Sequence, residues 1–209
     1  MFGSVLIAAL NRRVTMTMMN EAIWSCCRAN GLVFIDSREG ALGQTHGLAF
    51  ERAVSVAATL GVLLSRGGFS LRLATADTPP AALSEERFLE ALTSVAHSQV
   101  RSIGPALAHL RASASGDTTL VVVAAPPQPI ELTSMIRSGA AFGPKLAVLV
   151  HAVDPDTLPP ERQAQLEGRA TQARLALTRA GWDCIILPPS MRLKDRWHVP
   201  KERRLVHSG

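Results

Sequence analysis

In four places a stretch patterned as helix runs into glycine and then into a short apolar run rich in β-branched residues. Gly67-Gly68 precedes Leu71 to Ala76, Gly116 precedes Leu120 to Ala125, Gly143 precedes Leu146 to Val150, and Gly181 precedes Cys184 to Leu187. Helix, glycine and buried strand in repetition are the grammar of a parallel sheet, because parallel neighbours need long crossovers and the crossover helices then cover both sheet faces. A further apolar run, Leu32 to Ile35, has no glycine-ended helix in front of it and stops at Asp36. The expected fold is α/β: a three-layer, doubly wound, mainly parallel sheet of about five strands with Rossmann-like topology. In such folds the carboxyl ends of the strands carry the sites, and Asp36 falls at one of those ends.

The helices between the strands are readable from spacing. Phe50, Ala53, Val54, Ala57, Gly61 and Leu64 recur at helical intervals, and Val56, Leu60 and Leu63 make the segment apolar nearly all round. It is expected to be the most buried helix. Ser84, followed by Glu85 and Glu86, reads as the start of an amphipathic helix reaching to about His97, with Phe88, Leu92 and Val95 inward. A short helix covers about Ile103 to Ala112, Pro129 opens another that carries Leu132, Met135 and Ile136, and the longest spans about Glu161 to Ala180. Gly181 then stands where a left-handed residue ends a helix. Nothing in 26–190 reads as a linker, so one domain is expected there, between an atypical opening, 1–25, and a basic tail, 191–209.

Composition narrows the function. With 209 residues, 47% hydrophobic and 19% charged, the chain suits a single globular domain and no disordered or fibrous class. Aromatic residues make up 4% and tyrosine is absent, which leaves no platform for stacked bases, and no nucleic-acid partner is expected. Most of the net charge of +5 comes from Arg192, Lys194, Arg196, Lys201, Arg203 and Arg204, so the excess belongs to a solvated end of the chain. Three cysteines, two of them the adjacent Cys26-Cys27, carry no Cys-x-x-Cys spacing; neither a disulfide framework nor a zinc site is signalled, and a cytoplasmic location is expected. Met1 to Leu10 is apolar but short of the roughly 20 residues of a bilayer span, and Arg12 and Arg13 follow it where a secretory signal has its charges first.

Three strings taken together resemble a known family. They are Gly31-Leu-Val-Phe-Ile-Asp36-Ser37-Arg38, then Phe50-Glu-Arg-Ala-Val-Ser-Val-Ala-Ala58, and Arg66-Gly-Gly-Phe-Ser-Leu-Arg-Leu73. They look like the carboxyl-terminal half of bacterial proteins of domain-of-unknown-function family fifty-eight, which have a von Willebrand factor A-like fold. Ala180-Gly181-Trp182, an apolar strand and then Trp197 are similar to how those proteins close, and the resemblance runs from about Trp24 to Trp197. It implies a non-catalytic protein-interaction module, an amino-terminally shortened relative of a cytoplasmic domain that works beside MoxR-type AAA+ ATPases. It also implies that any membrane attachment in the longer relatives comes through an upstream segment.

The resemblance further implies a place to look for magnesium, since the von Willebrand factor A fold holds that ion through Asp-x-Ser-x-Ser after its first strand. Hard oxygen ligands in a near-octahedral array are what the ion needs. Asp36 matches the aspartate, but Arg38 and Gly40 stand at the two serine positions, and an arginine brings its own positive charge. Asp36 is expected instead to be a hydrogen-bonded loop carboxylate paired with Arg38, and no metal or other cofactor is expected. The rim of candidate interaction residues is Asp36, Ser37, Arg38, Gly40, His46, Asp77 and Pro126, on loops that rigid strands hold in fixed relation.

The competing reading is a hydrolase or metal-binding site around Asp36, Ser37 and His46. No Gly-x-Ser-x-Gly elbow supports it, and a base must come within hydrogen-bond reach of its nucleophile. Gly40, Gly43 and Gly47 match neither a dinucleotide fingerprint nor a phosphate-binding loop. Cys26-Cys27 reads as a pair of small, partly buried residues, Trp182 as packing between the last helix and strand, and Trp197 as either an anchor for the tail or an exposed contact.

Overall fold

The computed structural model describes residues 29–43 and 47–197. The opening segment 1–25, Trp24, Cys26, Cys27, His46 and the basic residues after Trp197 lie outside the described residues. In chain order the elements are β1 (Asn30–Ile35), α1 (Leu48–Arg66), β2 (Ser70–Thr75), β3 (Ala81–Leu83), α2 (Glu85–Thr93), α3 (Gly104–Ala112), β4 (Thr118–Ala124), α4 (Pro129–Gly139), β5 (Lys145–Val150), α5 (Pro160–Arg179), β6 (Asp183–Leu187) and α6 (Leu193–Arg196).

The sheet has six strands in the order β3-β2-β1-β4-β5-β6, where five were expected. Five are parallel, with Ile35 beside Thr75 of β2 and Val123 of β4, and Val150 beside Leu187 of β6. The additional strand, β3, runs antiparallel against Leu71 to Leu73 and forms one edge, a common addition to doubly wound sheets. Its three residues, Ala81-Ala82-Leu83, have no alternation that a sequence pattern reveals; pairing with β2 makes the strand.

Alternation along the strands splits the core in two. Val33, Ile35, Val121, Val123, Val148 and Val150 pack with Phe50, Ala53, Leu60 and Leu64 of α1, Phe88 and Leu92 of α2, and Leu193 of α6. Leu32, Phe34, Leu120, Val122 and Leu149 pack on the opposite face with Leu107 and Leu110 of α3, Met135 of α4, and Ala173 and Leu177 of α5. The result is a mostly parallel α/β sheet flanked by helices on both faces, compatible with a Rossmann-like fold.

The glycine punctuation works by two different means. Gly68 and Gly181 have φ of +78° and +79°, the left-handed conformation in which glycine carries no steric cost. Gly143 has no positive φ; a side chain there would collide with the Gly116 carbonyl, so this turn needs glycine for close approach, whereas a side chain at Gly116 would meet open space. The helix α1 is long and apolar enough to cross a membrane by length and mean hydropathy, yet it buries Ala49, Phe50, Ala53, Val56, Ala57, Leu60, Gly61 and Leu64 in the domain. Only its outer face, including Leu63, is left to solvent.

Two expectations shift. The Ser84 hydroxyl does cap α2, accepting from the Arg87 N–H at 3.3 Å, but the helix ends at Thr93, well before His97. Thr93 and Ser94 turn their hydroxyls back onto the Glu90 carbonyl, and the chain then extends so that Ser98 reaches the loop after β1. The segment expected to open a solvated tail at 191 instead packs through α6: Leu193 is buried, and Trp197 lies against the first core cluster as an anchor. Trp182 is buried where α5 meets β6, its indole against Gly139 of α4.

Candidate functional site

The chain leaves β1 for β2 on one side and returns to β4 on the other, so the crevice at the carboxyl ends of β1 and β4 is the topological switch point where open α/β sheets take ligands. Asp36 stands at that point. Its backbone N–H donates to the Val123 carbonyl at 2.9 Å, carrying the pairing with β4 one residue past β1. Its carboxylate is 2% exposed.

Arg38 takes both oxygens of that carboxylate. Nε donates to Oδ1 and Nη2 to Oδ2, each at 2.8 Å, the two-pronged geometry that makes such pairs strong. The remaining guanidinium nitrogen, Nη1, donates to Glu131 Oε1 at 2.5 Å and to the Arg101 carbonyl at 3.4 Å. Glu131 is the third residue of α4, and its Oε2 accepts from the Gln128 N–H at 3.0 Å, so the same side chain caps the helix. One guanidinium therefore ties the end of β1 to the start of α4 across the switch crevice. The hydrogen bond to Asp36, with the charge of both carboxylates, raises the Arg38 pKa against the opposing effect of burial, leaving it a permanent cation.

Backbone bonds fix the loop around this pair. The Ser98 N–H donates to the Ser37 carbonyl and the Glu39 N–H to the Ser98 carbonyl, both at 2.8 Å. The buried Ser37 hydroxyl accepts from the Ala76 N–H at 3.3 Å and so joins the ends of β1 and β2. Ser37 is a bracket here; His46, its base in the competing hydrolase reading, lies outside the described residues. Two other histidines are buried at the ring nitrogens without a hydrogen-bond partner among the described residues. His97 stacks on Phe50 with centroids 4.3 Å apart. His151, just past β5, leaves Nδ1 unpaired, and burial lowers its pKa.

Asp77, at the end of β2, is exposed. Its Oδ1 accepts from the Thr75 hydroxyl at 2.7 Å and the Thr78 hydroxyl at 3.3 Å. These bonds, the one from Thr75 foremost and with a further one from Ser98, hold its carboxyl below the usual range.

The residues do not fit a magnesium centre. Both oxygens of Asp36 are engaged by Arg38, and Gly40 offers no side chain at the other serine position. Among the described residues no three His, Cys, Asp or Glu side chains converge as a metal would need.

The remaining rim is apolar and accessible. Pro126, with Asp36 and Ser37, is buried and presents no surface, whereas Gly40 and Asp77 are exposed. At this same end of the sheet are the exposed Leu48 at the start of α1, Val153 after β5, Met191 after β6 and, most prominently, Ile130 at the start of α4, 78% exposed. Sequence reasoning missed Glu131, Ser98 and Ile130. The spacing Gln128-Pro-Ile-Glu131 was the available signal, since a residue at the helix cap and a glutamate three positions on form a reciprocal capping pair.

No family model matches the chain, and no curated protein matches it.

Proposed function

We propose that the chain is a non-catalytic interaction module of the von Willebrand factor A-like type, related to the cytoplasmic domains of family fifty-eight. Its partner under this reading is a MoxR-type AAA+ ATPase, met in the cytoplasm or at the cytoplasmic face of a membrane. The supporting observation is the division of labour at the rim: the acid at the switch point is taken up by Arg38, which Glu131 holds in turn, while Ile130, two residues into α4, stands 78% exposed beside that clamp. A buried carboxylate with both oxygens held by the two prongs of a guanidinium offers no free face to a substrate or a metal. An exposed isoleucine on a rigid helix start is a good docking contact.

The test is a pull-down of a MoxR-type ATPase by the full chain, compared with Ile130→Asp and with a variant whose 77–80 loop is scrambled. Enrichment by the wild-type chain that both changes abolish supports the reading. Equal recovery by all three, or by none, sinks it.

A further inference from the structure

The two edges of the sheet are protected unequally. At one edge β3 is only three residues long and follows Pro79-Pro80, and short proline-flanked edges resist further pairing. At the other edge β6 has five residues, Asp183–Leu187, without proline or lysine, and among the described residues no strand pairs with its outer side. Ile185 packs against one core cluster and Ile186 against the other, and both remain partly exposed, so the two apolar layers of the domain run out to this edge unfinished.

Charge says what completes it. Asp183 is partly buried and has no hydrogen bond or ion pair among the described residues. Asp183, Ile185 and Leu187 share the face on which α6 packs, and α6 carries the exposed Lys194 and Arg196 on either side of Asp195, whose carboxylate accepts from the Arg192 N–H. If β6 pairs antiparallel with an identical strand about a two-fold axis at Ile185, Asp183 lies opposite the second copy's Leu187, beside that copy's α6. Directly opposed residues of an antiparallel pair share a face, so the acidic start of each strand meets the helix that carries Lys194 in the other, twice.

We propose that the chain self-associates through β6, forming a continuous twelve-stranded sheet across a two-fold axis, with Asp183 of each copy paired to the Lys194-bearing helix of the other. The occupant is a second copy because an antiparallel pair of like strands is two-fold symmetric and because both halves of the charge pairing are present in one chain. A five-residue strand buries modest area, so the dimer belongs to the weak class and fills through the micromolar range.

Sedimentation equilibrium of the full chain, from about 1 µM to a few hundred micromolar, decides the matter. A monomer–dimer equilibrium is expected. Asp183→Lys and Lys194→Glu, each on a partly or fully exposed side chain, should each raise the dissociation constant about tenfold, and the double exchange should bring it back near the wild-type value. Ile185→Lys places two ammonium groups face to face and should leave monomer; circular dichroism checks that it is folded, and the charge exchange decides if it is not. A monomer at every concentration overturns the proposal and leaves the edge to a different occupant. So does a dimer whose affinity ignores all of these changes.

Discussion

Asp36 and Asp77 occupy equivalent places, each just past the end of a parallel strand and on neighbouring strands of one sheet, yet they live in opposite chemistry. Asp36 is buried and neutralised by a guanidinium that reaches on to Glu131, so it acts as mortar between β1 and α4. Asp77 is exposed and rests on the hydroxyls of Thr75 and Thr78, a carboxylate still facing solvent. Position in the fold therefore assigns a carboxylate to the rim, and the residues around it decide whether it is structural or available. Arg38, two residues beyond Asp36, makes that decision for the switch point.

The contrast breaks most visibly at Arg38. Arg38→Met leaves a nearly inaccessible carboxylate without its counter-charge and should cost about 3–5 kcal/mol in urea unfolding, the range for removing one member of a buried pair. Glu131→Gln comes next, because it removes one charge from the guanidinium and weakens the cap of α4. A loss of about 1–2 kcal/mol is expected in the same measurement. Asp77→Asn should change stability by less than about 0.5 kcal/mol at neutral pH, since the Asp77 side chain is exposed and asparagine keeps an oxygen to accept from Thr75.

Acid sharpens the Asp77 side of the comparison. Its folded pKa lies below the unfolded value of 3.8, so the small stability it supplies is complete above that value and is lost as pH falls through the lower folded one. Melting curves of wild type and Asp77→Asn should therefore run parallel from pH 7 to about 5 and converge only in stronger acid. The smallest effect expected is none: millimolar magnesium should leave the wild-type melting temperature unchanged, because a ligand stabilises only what binds it.

Much of this architecture was legible in the sequence because burial writes a periodic code. The five parallel strands, the left-handed Gly181, the Ser84 cap and the placement of Asp36 all follow from local pattern. The pairing of Asp36 with Arg38 was also readable, being only two residues apart. What escaped was what only tertiary contact creates. β3 is a strand because β2 offers an edge, and α2 stops short of His97 where the chain extends to bring the Ser98 backbone to the loop after β1. Glu131 joins the site from 93 residues away, a distance no local spacing spans. Ile130 is an ordinary apolar residue in sequence and becomes informative only when its exposure is known.

Closure of the switch point rests on Arg38 serving Asp36, and a double-mutant cycle reads that service directly. Unfolding free energies of wild type, Asp36→Asn, Arg38→Met and the double variant should give a coupling of about 2 kcal/mol or more, with the double variant more stable than Arg38→Met alone. A coupling near zero, with the two losses simply adding, would mean that the carboxylate and the guanidinium act independently and that the switch point is not closed by this pair.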